Sequence, residues 1–200
     1  MIGTAIALAV RLLTGATPRW RGCAAEPRLR VYFANHSSNL DFVLLWASLP
    51  PLIRRRTRPV AAHDYWTKGA IRPWLAGQIF RAVLIERKNV TRANNPMTPM
   101  CDALRAGDSL IIFPEGTRNP SGEIGEFKSG IHHLAREVPD AEFVPVYIEN
   151  LNRVLPKGEI LPVPILCAVN FGEPLRLSAG ETKLAFLTRA RDAMIALRAK

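Results

Sequence analysis

Leu29-Arg30-Val31-Tyr32-Phe33-Ala34-Asn35-His36-Ser37-Ser38-Asn39-Leu40-Asp41-Phe42-Val43-Leu44-Leu45-Trp46 passes from one apolar run to another through a polar turn. The first run, residues 29–34, is short, with β-branched and aromatic side chains at its centre, the pattern of a buried strand. The second, from Phe42 to Trp46, reads as a helix. His36 and Asp41 therefore stand at a strand-to-helix turn, where an imidazole can face a cleft while a carboxylate holds one of its nitrogens. Histidine titrates near neutrality and is the commonest general base. An aspartate on its far nitrogen fixes the tautomer and stabilises the imidazolium. The same residues also fit a plain helix start, with Ser38 as N-cap and Asp41 complementing the helix dipole. The two readings are compatible.

Moving outward, Ala82-Val83-Leu84-Ile85, Ser109-Leu110-Ile111-Ile112-Phe113, Phe143-Val144-Pro145-Val146-Tyr147-Ile148 and Ile165 to Phe171 are further apolar runs of strand length. Pro59 to Ala62 is a shorter candidate. Helical spacing recurs between them: over His63 to Phe80, in pieces broken by Gly69 and Pro73; over Asn95 to Arg105, stopped by Gly107; over Phe127 to Val138; and near the C-terminus, with Leu184, Leu187, Met194 and Leu197 as the apolar side. Strands alternating with helices predict an α/β fold: a single domain with a central, largely buried mixed β-sheet flanked by helices. Its active residues should lie on loops at strand ends.

Ile2 to Leu13 is apolar apart from Thr4 and Arg11, which predicts a short N-terminal helix. A membrane-spanning helix needs roughly 20 apolar residues, so this run is too short. It also lacks the basic residues that precede the apolar core of a secretory signal. Two roles are open: a helix lying in a bilayer interface with Arg11, Arg19 and Arg21 near headgroups, or an ordinary packed helix. Residues 1–27 are accordingly set apart as an N-terminal apolar or interfacial segment, and residues 28–200 as the main domain.

The formal charge of +10 implies an anionic partner. The run Arg54-Arg55-Arg56-Thr57-Arg58 is either a solvated loop or a site for lipid headgroups or a polyanionic donor. Nucleic acid is not expected as a partner, because no nucleic-acid-binding motif is present and the aromatics sit in apolar company. Cys23, Cys101 and Cys167 are odd in number and widely spaced, against a disulfide framework. No Cys or His cluster suggests a metal site. No GxSxG elbow is present, against a serine hydrolase.

Polar chemistry collects at three predicted strand ends: His36 and Asp41 at the first, Arg87 at the second, and Glu115, Gly116, Thr117 and Arg118 at the third, with Lys128 behind. A base beside fixed cations suggests an acceptor carrying both a hydroxyl and a phosphate, which an arginine fork binds well.

At these residues the sequence resembles the glycerolipid acyltransferases of the 1-acyl-sn-glycerol-3-phosphate (lysophosphatidate) acyltransferase type. Their NHxSxxD motif is matched by Asn35, His36, Ser38 and Asp41, and their FPEGTR motif without a gap by Phe113 to Arg118. Weaker matches are Gly77, Phe80 and Arg87, and the apolar strand around Pro145. The resemblance covers roughly residues 28 to 150. Asn119 departs from it, standing where many members carry Ser. The chain is also shorter than many members, which speaks against a large membrane anchor.

The resemblance implies transfer of a fatty acyl group from acyl-CoA or acyl-carrier protein to lysophosphatidate, in phospholipid biosynthesis. It implies His36 and Asp41 as catalytic residues, and Arg87, Glu115, Gly116, Thr117, Arg118 and Lys128 around the acceptor. Glu115 is assigned to holding Arg118, a loop N–H or the glycerol hydroxyl. No cofactor and no metal are expected. The expected partners are the lysophospholipid, the acyl donor and a membrane surface with anionic lipids. The expected location is peripheral or monotopic on the cytoplasmic face of a bacterial inner membrane. Another lysolipid acceptor, or a catalytically silent membrane-binding homologue, are the alternatives.

Overall fold

A computed structural model describes residues 2–38, 40–87, 90–91, 94–119, 123–149 and 167–198. In chain order they form α1 (Ile2–Thr14), β1 (Thr17–Trp20), β2 (Arg30–Ala34), α2 (Asp41–Ser48), α3 (Pro51–Arg54), β3 (Thr57–Ala62), α4 (His63–Trp66) and α5 (Ile71–Trp74). A π-helical turn, Leu75–Ile79, follows directly. Then come β4 (Val83–Ile85), α6 (Met97–Arg105), β5 (Ser109–Ile112), α7 (Gly130–Glu137), β6 (Glu142–Glu149), β7 (Ala168–Phe171) and α8 (Lys183–Ile195).

The strands make one mixed sheet in the order β1-β7-β6-β2-β5-β3-β4, parallel throughout except for the β6–β7 pair. β2 lies at its centre, with Val31 opposite both Leu110 of β5 and Phe143 of β6. A strand flanked by parallel neighbours is covered on both faces, so it is apolar at every position rather than at alternate ones. All of β2 and β5 is buried accordingly.

Alternation along each strand separates the two cores. Val31, Phe33, Leu110, Ile112 and Phe143 face α6, α7 and α8. Tyr32, Ala34, Ile111, Val144 and Val146 face α2, with Ala7 of α1. The sheet thus carries helices on both sides, as its predicted fold class requires.

Several elements differ from the sequence reading. Thr17–Trp20, inside the N-terminal segment set apart above, is a strand of the sheet, paired in parallel with β7. α1 packs on α2, so residues 2–20 are built into the body of the fold. Pro73 does not break a helix; it lies in the first turn of α5, where its missing N–H costs no hydrogen bond. The predicted strand over residues 165–171 is observed as β7, and Ile165 and Leu166 lie outside the described residues. So do Pro120, Ser121 and Gly122 of the predicted loop, and the proline-rich connection before β7.

Candidate active site

The parallel strands β2, β5, β3 and β4 end at one edge of the sheet, the usual place for a site in an open α/β sheet. β2 is followed by Asn35, whose side-chain amide accepts from Ile148 N (2.8 Å) and donates to Ile148 O (3.1 Å). This two-sided bond fastens the end of β2 to β6 before the chain turns.

His36 follows. Its Nδ1 lies 2.8 Å from Asp41 Oδ2. The same oxygen accepts from Ser37 N at 2.7 Å and Ser38 N at 2.8 Å. Asp41 is fully buried. These bonds fix the Asp41 side chain against the turn. With Asp41 Oδ2 as acceptor, the imidazole of His36 presents Nδ1–H to it and leaves the Nε2 lone pair free. Burial, and after it the Asp41 charge, push the Cys167 thiol up to about 11, so it stays neutral.

The cap geometry corrects the simple helix-start reading. The N-cap of α2 is Leu40, without a side-chain cap bond, and Ser38 does not fill that role. Asp41 instead reaches back across the turn. Its carboxylate collects the N–H groups of residues 37 and 38 and, with the same atom, orients the imidazole. One carboxylate oxygen thus serves both the backbone of the turn and the imidazole.

The ring of His36 stacks on Phe113 at the end of β5, with centroids 4.3 Å apart and planes 21° from parallel. Its own backbone is held on both sides: Glu115 Oε1 accepts from His36 N at 3.0 Å, and His36 O accepts from Asn119 N at 2.8 Å. The other Glu115 oxygen accepts from Gly125 N at 3.0 Å. Glu115 is 7% exposed. The carboxylate therefore ties the loop after β2 to the two ends of the loop after β5. Of the partners expected for it, the structure selects a loop N–H.

Gly116 turns the chain with φ of +70°, a conformation that side chains disfavour. A Cβ there would meet Lys128 Nζ at 2.7 Å, so the lysine lies across the turn. Lys128 is anchored through its backbone, which donates to Pro114 O at 2.9 Å.

His36, Gly116, Arg118, Lys128 and Arg87 line a single cavity of about 640 Å³. Glu115 and Thr117 are not on its wall: Glu115 stands behind it, and Thr117 points to the exposed side of the turn. Arg87, at the end of β4, is half exposed and 3.7 Å from Asp64 Oδ1. Arg118 and Lys128 have no ion pair among the described residues, which leaves both cations available to an anion in the cavity.

Beyond the cations the cavity is apolar. Phe42, Trp66 and Phe80 form one wall, packed edge-to-face at 5.1–5.5 Å. Met100, Ile131 and Leu134 form the other. Sequence reasoning missed this lining. Phe42 and Ile131 carry the apolar patterning of any core helix, and only the tertiary fold brings these faces to one space. The clamp by Asn35 was missed in the same way, and for Glu115 a loop N–H was one of three partners expected.

The family model described as Acyltransferase matches residues 26–149, more than half of the chain and all of the site. The chain belongs to the Acyltransferase family. Relatives of this acyltransferase-family chain include the human 1-acyl-sn-glycerol-3-phosphate acyltransferase alpha, 32% identical over 148 residues, covering 72% of this chain and 49% of that protein. The 1-acyl-sn-glycerol-3-phosphate acyltransferase of Haemophilus influenzae is 32% identical over 108 residues, covering 52% and 42%. The chain thus spans about half the length of the curated relatives it matches. Its fold matches the crystal structure of the 1-acyl-sn-glycerophosphate acyltransferase PlsC from Thermotoga maritima, with a TM-score of 0.78 and 18% identity over 99% of this chain and 78% of that one.

Proposed function

We propose that this protein transfers a fatty acyl group from a thioester donor, acyl-CoA or acyl-carrier protein, to the free hydroxyl of lysophosphatidate, giving phosphatidate. The observation that carries the reading is the Asp41–His36 pair opening onto a cavity with two kinds of lining. Arg118, Lys128 and Arg87 are suited to a phosphate, and the aromatic and aliphatic side chains to an acyl chain.

His36 Nε2 takes the proton of the acceptor hydroxyl as its oxygen attacks the thioester carbonyl. The tetrahedral intermediate collapses, the C–S bond breaks, and the imidazolium returns the proton to the departing thiolate. Products are an ester and a free thiol. Asp41 stabilises the imidazolium without itself being protonated. General-base help of this kind is worth about 10²- to 10⁴-fold. A thiol with a pKa near about 8.5 leaves readily as its anion, so the step calls for no metal or cofactor.

A membrane surface is the natural setting for both lipid substrates. In support, Ile2, Leu8, Leu12, Ile71 and Trp74 are exposed, and the chain is strongly basic. No helix among the described residues is long and apolar enough to cross a membrane. From the exposed apolar side chains and the basic charge, attachment is proposed to be interfacial, at the cytoplasmic face of a bacterial inner membrane.

The test is mass-spectrometric detection of phosphatidate formed from lysophosphatidate and oleoyl-CoA or oleoyl-carrier protein. Arg118→Ala and Arg87→Ala should each raise KM for lysophosphatidate about tenfold, the loss of one charge-assisted phosphate contact. An unchanged KM in both variants would mean an acceptor without phosphate.

A further inference from the structure

A second, smaller cavity of about 210 Å³ opens between α1, α2, α3 and the π-helical turn. Gly3, Thr4, Trp46, Arg54, Arg55 and Arg81 line it. Arg54 is only 8% exposed, and its guanidinium lies 5.1 Å from the centroid of Trp46. Its hydrogen bonds are two long ones, at 3.4 Å, to the carbonyls of Ala47 and Leu49. Neither Arg54 nor Arg55 has an ion pair among the described residues. The nearby carboxylate, Asp108, is already shared by Arg56, Arg58 and Arg81. Arg81 is held with φ of +49°, unusual for a side chain of this size, while it donates to Arg55 O at 3.1 Å. Burial lowers the Arg54 pKa, and the like charges of Arg11 and Arg55 lower it further.

Taking a guanidinium out of water without a counter-charge is costly, and converging like charges add to the cost. A bound anion removes both penalties. We infer that this cavity is a second phosphate-binding site, occupied by the headgroup phosphate of an anionic membrane lipid that is not the substrate. Two features of the fold favour a lipid. Ile2 and Leu52, chain neighbours of the lining residues Gly3 and Pro51, are 55% and 70% exposed, flanking the arginines with apolar side chains. The cation set is also a different one: the active cavity is lined by Arg87, Arg118 and Lys128, the smaller one by Arg54, Arg55 and Arg81, and the two cavities meet only at the apolar ring of Phe80. The inference rests on the interfacial reading given above.

The test compares cosedimentation of the full chain with vesicles of phosphatidylcholine alone and of phosphatidylcholine mixed with phosphatidylglycerol. Thiol release from acyl-CoA in detergent is measured alongside, so that loss of chemistry and loss of lipid binding are read separately. Arg55→Gln, on the exposed side of the cavity, and Arg54→Met, which keeps the bulk beside Trp46, should each weaken binding to the mixed vesicles about fivefold, near the worth of one basic residue at an anionic surface. Their turnover in detergent should match wild type. Arg55→Lys separates a built pocket from diffuse attraction, because it keeps the charge and loses the fork. The pocket predicts weakened binding for Arg55→Lys. Wild-type binding by Arg55→Lys, or by both neutral variants, would overturn the proposal. So would a raised KM for acyl-CoA with unchanged vesicle binding, which would hand the site to the phosphates of the donor.

Discussion

Replacing Glu115 by glutamine changes one atom's chemistry and nothing of its size, and the structure predicts its effect in detail. Both carboxylate oxygens accept from backbone N–H groups, His36 N and Gly125 N, each at 3.0 Å. A glutamine can satisfy only one of them, and its amide NH₂ must then face the other donor. One charge-assisted bond is lost outright and a buried N–H is left unpaired, together about 2–4 kcal/mol. In a chain of this length that lowers the melting temperature by about 5–15 °C. The lost tether is the one that positions the backbone of His36. Displacement of a reacting group by an ångström can cost about 10²-fold, so kcat should fall by that order. Since Glu115 is not on the cavity wall, KM for lysophosphatidate should stay within about twofold of wild type. The assays are thermal melting and initial-rate kinetics well below the melting point. A variant that melts like wild type and shows a raised acceptor KM would refute this reasoning and place the carboxylate on the substrate.

Other consequences are simpler. Asp41→Asn presents an amide to His36 Nδ1 and admits the wrong tautomer, so turnover should drop at least about tenfold in the thiol-release assay while the fold persists. Gly116→Ala forces a Cβ onto the Lys128 ammonium at a positive φ; it should cost about 1–2 kcal/mol in a denaturant titration and raise the acceptor KM. Burial pushes the Glu142 carboxyl up, but the hydrogen bonds and charges of Arg30 and Arg28 outweigh it and hold the pKa below the ordinary value. Its contribution is therefore fully present above the usual carboxylate pKa of about 4.3 and lost as pH falls through the depressed value. Glu142→Ala leaves Arg30 buried and unpaired, so melting near neutral pH should show a loss of about 3–5 kcal/mol, with a shallower acid dependence than wild type.

How far the sequence carried depended on whether a feature was local. β2, β5 and β6 were legible because parallel strands covered on both faces are apolar without interruption, and few other elements of that length are. β1 was not: Thr17-Pro18-Arg19-Trp20 has no apolar run, its alternation lasts only four residues and includes a proline, and its pairing with β7 makes it a strand. The hydrogen-bonded pair proposed as catalytic was legible because His36 and Asp41 lie on one turn. Glu115 was assigned with three possible partners because its real ones, residues 36 and 125, come from separate loops. The cavity was invisible for the same reason. Phe42 and Met100 belong to helices on opposite faces of the sheet, and no stretch of sequence relates them.

The measurement that tests the central claim most directly is thiol release from long-chain acyl-CoA, or from acyl-carrier protein, with and without lysophosphatidate, in wild type and His36→Ala. The account predicts release that requires the acceptor and vanishes in the variant, with melting unchanged. Acceptor-dependent release that survives in folded His36→Ala would contradict it.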